Sequence, residues 1–254
     1  MTDRFVHLHD YRTLRTDSWR TAPLLVAVAL IAFIAYAAWA TLQNADYYSA
    51  PYLSPFYSPC ISANCDHVTV PLIGSWWNLS PAFLILWIPA GLRVTCYYYR
   101  KAYYRAFLRL PPACAVRDAP KSYTGESAFP FVLQNAHRYF LYLSMLVLVF
   151  IWWDAILAFK FPDGFGIGMG TLVLLINAVL LSLYSLSCHS CRHICGGNLK
   201  SFHGRPVRFK AWKVITQLNK KHREYGWASL ISVGVADLYV RLLAMGIVRD
   251  LRLW

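Results

Sequence analysis

Six consecutive residues, Cys188-His189-Ser190-Cys191-Arg192-His193, hold two thiols and two imidazoles. Thiolate and imidazole are the protein ligands of zinc, and of several haem and iron–sulfur centres. His189 and His193 are spaced i, i+4, so on one helical face both can reach a single metal. The chain has seven cysteines (Cys60, Cys65, Cys96, Cys114, Cys188, Cys191 and Cys195) and a further histidine of interest, His137. What these side chains can do depends on which of them the fold brings to one place.

The elements that must position them are apolar. The chain of 254 residues is 57% hydrophobic and only 15% charged, against about 25% charged in soluble domains. Runs of the length that crosses a hydrocarbon core recur. They predict an all-α integral membrane protein, a single domain 1–254 built as a bundle of five transmembrane helices at about 22–42, 79–99, 133–159, 167–186 and 227–248. The first run exceeds the apolar region of a cleaved signal and is read as a retained span. Pro81 suits the first turn of helix two, and Pro89 predicts a kink within it. The short link 160–166 makes helices three and four antiparallel neighbours. Gly196-Gly197 stop the segment after the Cys/His cluster. An amphipathic segment at about 205–222 is expected to lie on the membrane surface.

Charge orients the bundle. The net charge is +13, and Lys and Arg concentrate in residues 1–21, 93–121 and 192–223. Loop 43–77 has neither. By the positive-inside rule the basic segments are cytoplasmic, which puts the N-terminus inside and the C-terminus outside. The positive charge is thereby read as topology, with no nucleic-acid partner. Arg249 and Arg252 at the outer end run against the rule and can snorkel to the interface.

This orientation sorts the ligands. Cys60 and Cys65 fall outside, where a small disulfide can persist. Cys96, Cys114, Cys188, Cys191, Cys195, His137, His189 and His193 fall at the cytoplasmic end, where a reducing compartment favours metal binding. Three centres suit them: a structural zinc; a haem b between His137 and His189 or His193; and a Rieske-type [2Fe–2S] cluster, with two Cys on one iron and two His on the other. For that cluster the thiolate pair is open: Cys188 or Cys191 from the helix-four segment, or Cys96 and Cys114.

Four stretches carry a resemblance. They are Thr95-Cys96-Tyr97-Tyr98-Tyr99-Arg100-Lys101-Ala102-Tyr103-Tyr104-Arg105, Pro111-Pro112-Ala113-Cys114-Ala115-Val116, Asn135-Ala136-His137-Arg138-Tyr139, and Ser187-Cys188-His189-Ser190 with Arg192-His193. Together they resemble the membrane-anchor, cytochrome b-like subunit of actinobacterial succinate dehydrogenase (respiratory complex II), over about residues 80–250. The resemblance implies a plasma-membrane subunit without catalytic residues of its own. A flavoprotein subunit would oxidise succinate, and an iron–sulfur subunit would dock on the basic face. Electrons would pass to a membrane quinone, menaquinone or a similar acceptor. A higher oligomer of the complex is compatible with it. This branch is expected to carry a Rieske-type centre in place of haem. On that basis Cys96, Cys114, Cys188, His137, His189 and His193 are the ligands to carry over, with Cys191 a neighbour.

Quinone reduction needs polar groups as well as electrons. His137, Arg138 and Tyr139 have the right depth. In helix five Asp237 and Arg241 are spaced to pair, and ionisable residues within a membrane are functional candidates; Tyr239 is a further hydrogen-bond candidate. A pair locking helices together is the alternative reading of Asp237 and Arg241. Packing is the alternative for Tyr239.

Overall fold

The computed structural model of the chain describes residues 16–59, 83–108 and 131–254. Cys60, Cys65 and Cys114 lie outside these residues, so the expected disulfide and one expected thiolate are not described. Helix α1 spans Thr21–Gln43, and its outward side chains, Leu24, Val28, Ile31 and Ile34 among them, are exposed. A helix apolar on every side belongs in lipid or in a core. After it, β1 (Tyr48–Ser49) and β2 (Tyr52–Leu53) form a small antiparallel hairpin. Helix α2 is described as Phe83–Thr95, with Pro89 inside it, and α3 follows as Tyr97–Tyr103. Next come α4 (His137–Leu157), the hairpin of β3 (Lys160–Phe161) and β4 (Gly164–Phe165), and α5 (Met169–Leu186). The one-turn helix α6 (His189–Arg192) leads into a π turn at His193–Gly197. The surface helix α7 (Pro206–Asn219) and then α8 (His222–Ala244) follow. Among the described residues four helices, at Thr21–Gln43, Val132–Leu157, Met169–Leu186 and His222–Ala244, are long and apolar enough to cross a membrane. Within the described residues α2 is a shorter apolar helix.

Three boundaries differ from expectation. Helix two does not run on to Tyr99. Cys96 steps out into an extended conformation, φ −65° and ψ 130°, and its carbonyl accepts the Arg100 N–H as the start of α3. Helix five begins at His222 instead of Trp227. The buried side of His222 and Glu224 in the first turn support an earlier start, since a carboxylate there complements the helix dipole. It ends at Ala244 instead of Val248. Gly246 takes φ +70°, and the N–H groups of Gly246 and Ile247 bond back to Leu243 and Leu242, a left-handed glycine stop.

Consecutive apolar helices reverse direction, so their ends meet in two groups. One end gathers the C-terminal side of α2, the start of α4, the end of α5 and the start of α8 around Leu92, Cys96, Tyr99, Leu141, Tyr184, Cys188 and Leu230. The other gathers the end of α1, the β1–β2 segment, the end of α4, the start of α5 and the end of α8, around Leu53, Phe56, Tyr57, Tyr52, Ala158, Leu174, Ala236 and Val240. At Gly91 the α2 backbone meets the Phe140 ring of α4 too closely for any side chain.

The second end is held by polar groups. Asp237 and Arg241 are 0% and 1% exposed and pair at 2.8 Å. Asp237 also accepts from Ser54 Oγ and from Tyr36 Oη. Arg241 donates at 2.6 Å to the Ala40 carbonyl in the last turn of α1, which the helix end leaves open, and at 2.7 Å to the Ala45 carbonyl just beyond it. Tyr57 Oη covers Ala40 and Thr41 in the same way. Asp250 takes hydrogen bonds from Tyr52, Tyr239 and the Gly170 N–H at the start of α5. Burial, and then Asp250, push the Tyr52 phenol up to about 12.

Candidate redox site

The first end brings together two thiols and two imidazoles from four helix termini. Cys96 Sγ lies 3.4 Å from His222 Nε2. Cys188 Sγ lies 3.0 Å from His137 Nε2. Both cysteines are buried, at 2% and 3% exposure. Each occupies a short break between helices, one residue long at Cys96 and two at Ser187–Cys188, and the two cysteines have nearly the same conformation: φ −65°, ψ 130° at Cys96 and φ −63°, ψ 143° at Cys188. A residue in that conformation turns its side chain away from the helix just ended. Cys188 Sγ additionally accepts the Ser190 N–H at 3.4 Å. Burial pushes the Cys188 thiol up to about 11, against the opposing Ser190 N–H.

The surroundings hold these groups in place. The Tyr184 ring stacks on His222 with centroids 5.0 Å apart and planes 11° apart. Ser187 Oγ lies 2.7 Å from His222 Nδ1, and Thr95 Oγ1 lies 2.9 Å from His137 Nδ1. Asn219 donates to the Ser187 carbonyl at 2.6 Å and so anchors α7 to the break. Arg93 supplies the nearby positive charge: it bonds Tyr99 Oη, the Gly226 carbonyl and Ser229 Oγ, and lies over the Tyr184 ring at 4.6 Å.

The expected residues divide. Cys96, Cys188 and His137 meet at this site. His189 and His193 are exposed, and His193 Nδ1 lies 2.9 Å from Arg138 Nη2. His193 is thereby turned toward Arg138, whereas His189 stays close enough to His137 and His222 to act on both electrostatically. Cys191 sits half-buried beside Cys195, its thiol pushed up to about 12 by burial first and by Cys195 second. Arg138 and Tyr139 are exposed next to His137. Asp237, Tyr239 and Arg241 lie at the opposite end. Fifteen residues separate Asp237 from His222 on α8, which is about 22 Å along the helix axis. Their polar atoms are engaged in the contacts described above. His222 was missed by sequence reasoning. It could have been found from its place: a histidine at the start of the last apolar helix, at the same end as Cys96, His137 and Cys188.

Among the described residues no three His, Cys, Asp or Glu side chains converge on a single ion position. A mononuclear zinc site takes four such ligands around one point. A binuclear cluster takes two on each iron, and two thiols with two imidazoles are that donor set in type and number.

The family model for the actinobacterial succinate dehydrogenase subunit SdhC matches residues 21–246. Among solved structures, the Mycobacterium smegmatis Sdh1 complex in the apo form contains a chain that is 44% identical. The match covers 96% of this chain and 95% of that one, with a TM-score of 0.87. No curated protein matches. With its four apolar helices the chain is a multi-pass membrane protein, and it belongs to the actinobacterial succinate dehydrogenase SdhC family.

Proposed function

We propose that this chain is the membrane anchor and electron-transfer subunit of a succinate:quinone oxidoreductase, with the N-terminus cytoplasmic and five crossings. Electrons would enter from an iron–sulfur subunit at the basic end and leave to a membrane quinone. The observation that carries the reading is the quartet of buried Cys96, Cys188 and His222 with half-buried His137. It lies at the end of the bundle where Lys210 and Lys213 of α7, and Lys220 just after it, are exposed.

Cys96 and Cys188 would hold one iron, and His137 and His222 the other. A [2Fe–2S] group with this mixed ligation supplies one-electron transfer at a potential above that of an all-thiolate cluster. The protein's part is to exclude water from the thiols, to fix the imidazoles and to keep Arg93 close by. A positive charge there favours the more negative, reduced state. Arg138 and Tyr139, exposed beside His137, are the polar groups placed to meet a quinone head from the lipid side. Asp237 and Arg241 serve the opposite end as a lock between α1, the 47–57 segment and α8.

Two alternatives use the same end. A haem b would need two imidazole nitrogens facing each other across a slot, whereas each Nε2 of this pair faces a thiol. A zinc would need all four donors around one point. Iron, haem and zinc analysis of the purified complex, with electron paramagnetic resonance, tests the reading. A mixed nitrogen–sulfur [2Fe–2S] signal that disappears in Cys188→Ser supports it. Stoichiometric haem b or zinc at this site would overturn it.

A further inference from the structure

Two hydroxyl groups sit where a hydroxyl decides which imidazole nitrogen carries the proton. Thr95 Oγ1 donates to the Gly91 carbonyl at 2.6 Å. Ser187 Oγ donates to the Tyr184 carbonyl at 3.0 Å. A hydroxyl has one hydrogen, and in both cases a carbonyl, which can only accept, takes it. With that hydrogen so used, each hydroxyl offers lone pairs to its imidazole, which assigns the protons to His137 Nδ1, 2.9 Å from Thr95 Oγ1, and His222 Nδ1, 2.7 Å from Ser187 Oγ; the Leu92 backbone is a further hydrogen-bond partner of His137. In a neutral imidazole that leaves the lone pair on Nε2, the nitrogen that faces Cys188 in one case and Cys96 in the other.

The arrangement closes on itself. Thr95 directly precedes Cys96, and Ser187 directly precedes Cys188. Cys96 meets His222, which is held by Ser187. Cys188 meets His137, which is held by Thr95. Each helix break thus supplies one thiol and the hydroxyl that orients the histidine opposite the other thiol. Ser187 and Thr95 are 0% and 6% exposed, so water does not readily replace either contact. A threonine hydroxyl bonded one turn back along its helix is common. What sets these two apart is the second contact, to a histidine from another helix, at matching positions.

We infer that Thr95 and Ser187 are positioning residues that hold His137 and His222 in the Nδ1–H tautomer and present both Nε2 atoms as ligands. The inference rests on the proposed iron–sulfur reading only for what the two nitrogens bind; the tautomers follow from the hydrogen bonds. A group that orients a metal-bound histidine through its other nitrogen typically accounts for 10–100-fold in metal retention.

The test uses the purified complex. Thr95→Val keeps the shape and removes the hydroxyl, and Thr95→Ser restores the hydroxyl. Iron loss from the membrane subunit to a chelator is expected to be ~10-fold faster in Thr95→Val and close to wild type in Thr95→Ser. Pulsed electron paramagnetic resonance should show one of the two imidazole nitrogen couplings altered in Thr95→Val and the other in Ser187→Ala. Should Ser187→Ala fail to assemble, the Thr95 pair decides. Solid-state 15N resonances of histidine-labelled complex, stripped of iron, give the tautomer directly, assigned by their loss in His137→Gln and His222→Gln. Nδ1–H at both positions is expected. Nε2–H at either, or unchanged iron retention and nitrogen couplings in Thr95→Val, would overturn the inference. If the wild-type subunit holds no iron at all, the function proposed above fails, and the 15N measurement still decides the tautomers.

Discussion

The two ends of the bundle both bury polar side chains, and they treat them differently. Around Asp237 and Arg241 opposite charges are matched inside the chain: the carboxylate meets Arg241, Tyr36 and Ser54, and the guanidinium meets Asp237 and the Ala40 and Ala45 carbonyls. Removing water from such a pair is tolerable because its strong hydrogen-bonding capacity is matched. Around Cys96 and Cys188 the polar atoms meet in two thiol–imidazole contacts, which are weak hydrogen bonds between good metal ligands. Burying charges with full internal partners makes a lock. Burying soft donors against one another makes, on the function proposed above, a place for a metal centre. Of the residues expected near a quinone, Arg138 and Tyr139 lie beside His137, and Asp237, Tyr239 and Arg241 lie at the other end.

The contrast can be broken most forcefully at the thiols. Cys188→Ser, and separately His222→Ala, are expected to lower succinate–quinone reductase activity ~100-fold or more while succinate oxidation with a soluble dye persists. Retained quinone reduction in both would remove the distinction between the ends. At the other end Asp237→Ala leaves Arg241 buried without its charge partner and should cost about 3–5 kcal/mol, read as a lower denaturation midpoint. Iron per folded complex should stay at the wild-type value; a loss of iron there would mean that the two ends are not separate. Tyr239→Phe removes one hydrogen bond to Asp250 and should cost about 1 kcal/mol, with quinone kinetics unchanged. The smallest effect on the centre is expected from His189→Ala combined with His193→Ala. Iron content should be unaltered, because both rings are exposed and neither belongs to the two thiol–imidazole contacts.

The thiols also give the site a direction in pH. Burial raises the Cys188 thiol to about 11, so at neutral pH the emptied site holds a proton there that a metal must displace. Reloading of the iron-free chain should therefore weaken as pH falls and strengthen as it rises toward that value. Reconstitution measured between pH 6 and 9 checks the sign, and stronger loading at pH 6 would contradict it.

The apolar runs made most of the bundle legible: α1, α4 and α5 lie within a few residues of their expected limits, and the short link between α4 and α5 is the tight hairpin its length required. What was not legible depended on local breaks. The spacing of His189 and His193 is persuasive only if one helix carries both toward the bundle, and the chain leaves that helix at Ser187. The extended step at Cys96 has no strong sequence signal, since neither Gly nor Pro marks it. His222 was hidden in a basic stretch whose lysines and arginines drew the reading toward surface charge. Asp237 and Arg241 were legible as a pair, but their other partners were not. Only the tertiary packing brings Ser54, Tyr36 and the Ala40 and Ala45 carbonyls to them.

The most direct measurement of the central claim is pulsed electron paramagnetic resonance on the reduced complex, wild type against His137→Ala and His222→Ala. The account predicts a [2Fe–2S] signal with two imidazole nitrogen couplings in the wild type, each variant losing the signal or one of its couplings. Couplings that survive both substitutions, or a wild-type membrane subunit without that signal, would contradict it.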